Sequence, residues 1–152
     1  MGIEGLTRLE VWKIGQDFAV QVYKEVLPLL PAEEKWALNQ QIRRAVQSIP
    51  ANIAEGHGRF YYQETIRFCY IARGSLEEVY SHLELAHTLG YITDDVFARV
   101  SSESDRMNRL INGYIAYLKR SRQGENEPGA PNRIKDTIED YSFESDIPPV
   151  QD

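Results

Sequence analysis

Cysteine is almost missing from this 152-residue chain, and the one residue, Cys69, can build neither an intrachain disulfide nor a multi-thiolate zinc site. Long hydrophobic runs are missing too. No stretch reaches the roughly 18 uninterrupted apolar residues of a spanning helix, and Met1 to Arg8 lack the basic patch and apolar run of a secretion signal. These absences predict a cytoplasmic protein with no membrane partner. There is no Gly-x-x-x-x-Gly-Lys-Ser/Thr loop, and Gly56-His57-Gly58 follows a helical pattern rather than a strand, so nucleotide hydrolysis has no support.

A basic excess is also lacking, since the net charge is -6, but that sum hides an uneven distribution. Residues 1–123 hold 15 Lys and Arg against 15 Asp and Glu, whereas residues 124–152 hold 2 against 8. The acidity therefore belongs to the end of the chain, and the rest is free to carry a basic face. The expected organisation is one domain over 1–123 and an acidic, disordered tail over 124–152. The tail is rich in Gly, Pro and Asn, and within it Ile134, Ile138, Tyr141 and Phe143 are spaced to dock as a short amphipathic turn.

What the first part does contain is helical periodicity, in four segments with no convincing strand alternation. The first runs from Leu9 to Leu27, with Val11, Ile14, Phe18, Val22 and Val26 on one face and Pro28 and Pro31 closing it. A second is predicted from Pro31, through a kink at Pro50, to Gly56 or Gly58, with Leu38, Ile42, Ala45, Ile49 and Ile53 inward. The third spans Tyr62 to Leu89 with Ile66, Cys69, Leu76, Tyr80 and Leu83 on its seam, and Gly90 is placed to adopt the left-handed conformation after it. Gly74 in its middle predicts the close approach of another helix backbone. The fourth starts at Thr93 as N-cap, carries Val96, Val100, Met107, Ile111, Tyr114 and Leu118, and ends at Gly124. The fold class is an all-α, antiparallel, up-and-down four-helix bundle.

Bundles can house di-iron centres, which need two Glu-x-x-His pairs. Only Glu84 with His87 fits that spacing, so no metal or other cofactor is expected. Cys69 falls on the apolar seam, where a thiol acts as a small hydrophobe. No catalytic residue is assigned, and the chain reads as a non-enzyme.

A polar stripe does stand out. Arg44, Ser48, Asn52 and Glu55 recur at helical spacing on the second helix, as do Ser75, Glu78 and His82 on the third. With the two helices antiparallel, Asn52 should come level with Ser75 and Arg44 with Glu78 or His82, giving an interhelical network that includes an Arg44–Glu78 pair. The basic residues group as Arg43, Arg59, Arg67 and Arg73 in the second and third segments, and as Arg106, Arg109, Lys119, Arg120 and Arg122 late in the fourth. They suit either the helix dipole or an anionic partner. Phe60, Tyr61 and Tyr62 directly follow Arg59 and read either as an aromatic staple or as a stacking platform for single-stranded RNA.

The strings Gln41-Ile42-Arg43-Arg44-Ala45, Ser48-Ile49-Pro50-Ala51-Asn52-Ile53-Ala54-Glu55-Gly56 and Ala72-Arg73-Gly74-Ser75-Leu76 resemble the bacterial four-helix-bundle family encoded in intervening sequences of 23S ribosomal RNA genes. That family is distantly similar to the accessory variability determinants of diversity-generating retroelements, pentameric barrels that associate with a reverse transcriptase and RNA. The resemblance implies a homo-oligomer, pentameric by analogy, without catalytic activity. It marks Arg44, Asn52, Glu55, Gly56, Gly74, Ser75 and Glu78 as an architectural or assembly network. The leading expectation is an adaptor whose basic surface meets RNA or a nucleic-acid enzyme; the alternative is a protein–protein scaffold with no nucleic-acid role. The acidic tail departs from the family pattern and would repel phosphate unless held away.

Overall fold

The computed structural model describes residues 2–126 and 128. A short helix α1 (Ile3–Arg8) precedes four long ones: α2 (Glu10–Gln21), α3 (Leu38–His57), α4 (Tyr62–Thr88) and α5 (Asp94–Ser121). The long helices form an up-and-down bundle in which α2 packs on α3 and α5, α3 on α4, and α4 on α5. No strand occurs among the described residues. Nearly all of the predicted tail, including Ile134, Ile138, Tyr141 and Phe143, lies outside them.

The interior is lined by aliphatic side chains at helical spacing. Val22, Val26, Ile42, Val46, Ile49, Ile53, Val79, Leu83, Val100 and Ile111 are all fully buried. Burying each such side chain contributes about 1.5–3 kcal/mol, and together these residues fix how the helices face one another. On α4 the buried seam runs Ile66, Cys69, Ala72, Leu76, Val79, Leu83 and Ala86, in steps of three or four. Tyr80, predicted on that seam, is instead exposed. After Leu76 the seam takes a step of three to Val79, which keeps the 3.5-residue average that facing helices require.

Several boundaries differ from the sequence expectation. The first long helix is α-helical only to Gln21; Val22–Val26 form a π turn and Leu27–Leu29 a 3-10 turn. Pro28 has no N–H to give the carbonyl of Lys24 and crowds it, so regular winding cannot continue there. The next helix does not begin at Pro31. Ala32–Glu34 is a separate 3-10 turn, and α3 starts at Leu38. Its amide donates to Glu34 Oε2 at 3.1 Å, and Glu34 Oε1 accepts from Tyr91 Oη at 3.1 Å, stitching the α2–α3 connection to the α4–α5 one. Helix α3 continues through a buried Pro50 as predicted.

Two glycines reverse roles. Gly74 has nothing within 4 Å of the place a Cβ would occupy, so no backbone approaches it. Gly56 is the close-approach residue: a Cβ there would sit 2.9 Å from Phe68 Cβ and 3.1 Å from Thr65 O on α4. The α3–α4 turn is thus tight because of α4, and Gly58 after it is right-handed, with φ -73°. At the far end Thr93 caps α5 as predicted, its Oγ1 accepting from Val96 N, and Gly90 is left-handed at φ 76°. Helix α5 ends at Ser121, not Gly124; Arg122 at φ 47° and Gly124 at φ 80° turn the chain back across the start of α4.

Candidate functional site

Two sequence candidates for chemistry resolve into ordinary contacts. Glu84 accepts from Tyr80 Oη at 3.3 Å, while His87 stacks on Phe97 with centroids 4.3 Å apart and meets Asp94 at 2.6 Å. Among the described residues no cluster of metal ligands forms. Cys69 is sealed in the core, where burial pushes its thiol up to about 12 and keeps it protonated and unreactive.

The polar stripe forms a seam between α3 and α4. Ser48 Oγ and Ser75 Oγ are 2.8 Å apart, and Asn52 Nδ2 donates to both Ser48 O and Ser48 Oγ at 2.8 Å. Ser48, one turn before Asn52, is thus the residue level with Ser75, in place of the expected Asn52, which joins only through Ser48. The predicted Arg44–Glu78 pair is absent among the described residues: Glu78 lies 3.4 Å from His82 on its own helix, and Arg44 is exposed. Both side chains stand in solvent, where a pair gains little against the entropy of holding it. Glu55 pairs with Arg59 at 2.5 Å. On α4, Ile71, Gly74, Ser75, Glu78, Leu85 and Leu89 share one outward face; Ile71, Leu85 and Leu89 are 46%, 48% and 50% exposed.

The basic residues do not form one patch. Arg43 donates to Asn39 at 2.6 Å and lies over the Tyr23 ring, on the α2 side of α3. Arg106 pairs with Glu103 at 3.5 Å. Arg73 donates to Asn112 at 3.0 Å and covers the Tyr70 ring at 4.8 Å, with Lys119 at 6.0 Å from the same ring. Arg67, Arg109 and Arg120 are exposed, and Arg122 meets Glu125 at 3.6 Å. Topology then sorts the charge along the α4/α5 pair. The half next to the α3–α4 turn, residues 62–74 and 109–123, holds six Lys and Arg against one Glu. The opposite half, residues 75–88 and 94–108, holds seven acids against two Arg.

Phe60, Tyr61 and Tyr62 do not make a three-ring platform. Phe60 and Tyr61 meet edge to face at 5.2 Å, Tyr62 is buried, and Tyr61 packs against Gly124 and donates to Pro128 O at 3.3 Å. Phe60 and Tyr62 instead join Tyr114 and Tyr117 of α5 around a recess of about 200 Å³, with His57 and Arg59 on its wall. Sequence reading missed the two α5 tyrosines because they look like flanks of an apolar stripe. Only the antiparallel register, marked by Tyr62 N donating to Gln123 O at 3.1 Å, brings them beside Phe60. Burial pushes the Tyr114 phenol up to about 12, with the negative charge that Cys69 or Tyr117 would carry adding to it. A second, more apolar groove of about 320 Å³ runs between Leu6, Trp12, Ala19, Pro50 and Ala54.

Fold and seam together define an up-and-down helical bundle whose sequence motif forms an interhelical polar contact. The chain belongs to the 23S rRNA-intervening sequence protein family, whose pattern matches residues 7–113. It is similar to a solved Bacteroides thetaiotaomicron protein of unknown function from the S23 ribosomal protein family, with 28% identity and a TM-score of 0.64 over 69% of this chain and 97% of that one. No curated protein matches. No described helix is long and apolar enough to cross a membrane.

Proposed function

We propose that this protein is a non-enzymatic, homo-oligomeric adaptor that associates with RNA, or with a nucleic-acid enzyme such as a reverse transcriptase, through the basic half of its α4/α5 face. The division of charge along that helix pair carries the reading. The helix dipole accounts for the acids that open α5 and the cations that close it, but not for Arg67 and Arg73 in the first half of α4, whereas a polyanion is attracted to one end and repelled by the other. Assembly uses the outward face of α4, where Gly74 lies open between exposed Ile71 and Leu85. A bare glycine flanked by aliphatics lets a second copy approach closely, and a pentamer is the expected product.

Fluorescence anisotropy with single-stranded RNA across a salt series tests the first half. Binding should weaken as salt rises, and Arg67→Glu/Arg73→Glu/Arg120→Glu should flatten the log–log slope by about 2, at roughly 0.7 per phosphate contact. Salt-independent binding sinks the RNA half, and a solitary chain in native mass spectrometry sinks the oligomer. The alternative, a protein–protein scaffold, draws on the groove beside Trp12; under it a partner survives nuclease treatment in a pull-down and the charge reversals change nothing.

A further inference from the structure

The recess at the α3–α4 end has no role in the fold or in the motif seam. Its walls combine Phe60, 49% exposed, and Tyr117, 56% exposed, with the more buried Tyr62 and Tyr114. Two exposed aromatic rings at the mouth of a cavity cost solubility and are not required to close a helix end. At about 200 Å³ the space falls below the roughly 300 Å³ where drug-sized pockets begin, so it admits one planar ring system rather than a whole peptide segment.

The surroundings favour a ring attached to phosphate. Ser121 and Gln123 line the recess, and the residues interleaved with them are Arg120 and Arg122. Arg59 sits on the opposite wall, held by Glu55 and lying over the Phe68 ring at 5.2 Å. Arg120, next to Ser121 in sequence, is exposed and makes no ion pair among the described residues, whereas Arg67 is exposed on the opposite side of α4 from Tyr62 and Thr65 and can meet only a strand that extends beyond the recess. The hydroxyl of Ser121 and the amide of Gln123 offer hydrogen bonds to a base edge. Aromatic faces ringed by cations are how single strands are held, through stacking that tolerates any base. A duplex keeps its bases stacked inside and cannot fill such a recess.

We infer that this recess captures one unstacked nucleobase of single-stranded RNA, between Phe60 and Tyr117, with Arg59 and Arg120 on the flanking phosphates. The inference rests on the RNA-binding reading above and names where on the basic half the strand is gripped. Half of the recess, Tyr114 to Gln123, lies beyond residue 113, where the family match stops.

The test uses the full chain and a ten-nucleotide single-stranded RNA with 5-iodouridine at its centre, alongside the same strand annealed to its complement. Irradiation should crosslink the single strand to Phe60 or Tyr117, located by mass spectrometry, and the single strand should bind on the order of ten-fold more tightly than the duplex. Phe60→Ala/Tyr117→Ala should weaken single-strand binding about ten-fold or more while leaving duplex binding unchanged. Both side chains are half-exposed, and a melting curve confirms the fold of the variant. Arg67→Glu/Arg120→Glu should weaken binding without moving the crosslink. Salt-dependent binding with equal affinity for the duplex and crosslinks elsewhere overturns the recess and leaves the RNA reading standing. No binding of either RNA at low salt overturns both.

Discussion

The two ends of the bundle are closed by different means. At the end where α4 passes to α5, the chain turns mainly through local devices, left-handed Gly90, amides of Leu89 and Tyr91 returning to Leu85 and Ala86 carbonyls, and the Thr93 cap, with Tyr91 Oη to Glu34 as its one cited long-range tie. At the end where α3 passes to α4, closure is long-range. Gly56 touches α4 side chain and backbone, Tyr62 N reaches Gln123 O, and Gly124 packs on Tyr61. The first end is acidic and capped; the second is basic, aromatic and open. A recess forms where closure depends on distant residues, since there side chains of α3, α4 and α5 converge with Leu9 from the α1–α2 junction.

Alkaline pH gives the largest separation of the two. Cys69 and Tyr114 both lie in the basic half, and burial lifts them from 9.0 and 10.0 to about 12. Above pH 9 the unfolded chain gives up the thiol proton while the folded one keeps it, so stability is intact below 9 and falls as pH climbs towards 12. The slope is at most about 1.4 kcal/mol per pH unit for the buried Cys69 thiol in its window, and smaller for Tyr114, whose phenol solvent partly reaches. Urea midpoints at pH 8, 9.5 and 11 should show this loss, steepening past pH 10 as Tyr114 joins. Cys69→Ala/Tyr114→Phe should flatten the slope even though its midpoint at pH 8 is lower. A double variant as alkali-sensitive as the parent would move the weakness to Tyr80 and Tyr91 at the acidic end, whose phenols burial and Glu84 or Glu34 also raise.

Next in size is Gly56→Ala. Its Cβ would be 2.9 Å from Phe68 Cβ and 3.1 Å from a backbone oxygen, so α3 and α4 must part. Overpacking of this kind costs about 2 kcal/mol, on the order of 6 °C in Tm. Gly58→Ala is the control: it is right-handed and its nearest neighbour, Glu55 O, would be 3.5 Å away, so its Tm should stay close to the parent's. Equal melting of the two variants would mean that this end is not closed by backbone contact.

The same division explains what the sequence made legible. The capped end was readable because its signals are local: Gly90, Thr93 and the acids after it sit in consecutive positions whose physics needs no partner. So were the four helices, whose buried faces repeat at three and four, and the antiparallel pairing of α3 with α4, though the expected register was one turn out, since Ser48 and not Asn52 meets Ser75. Gly74 was misassigned, and the crowding at Gly56 unforeseen, because a helical glycine looks alike whether a neighbour crowds it or not. Tyr80 was misplaced because a step of four and a step of three both continue an apolar stripe. The recess was invisible, since Phe60 and Tyr117 are 57 positions apart and only the folded topology pairs them.

The smallest effect belongs to the locally closed end. Thr93 Oγ1 accepts from Val96 N at 3.3 Å, in solvent, and its removal leaves one amide of the first turn to water. Thr93→Ala should therefore cost about 1 kcal/mol, or about 3 °C, and Thr93→Ser should restore it. Because the cap bond lies within the first turn of α5, hydrogen exchange should quicken at Asp95 to Phe97 and nowhere on α3. The loss should also add to that of Gly56→Ala in the double variant, the two sites having no shared partner. A loss above about 3 kcal/mol, or protection lost across α3, would show that the Thr93 turn is coupled to distant contacts beyond the Tyr91–Glu34 bond, and the contrast between the two ends would collapse.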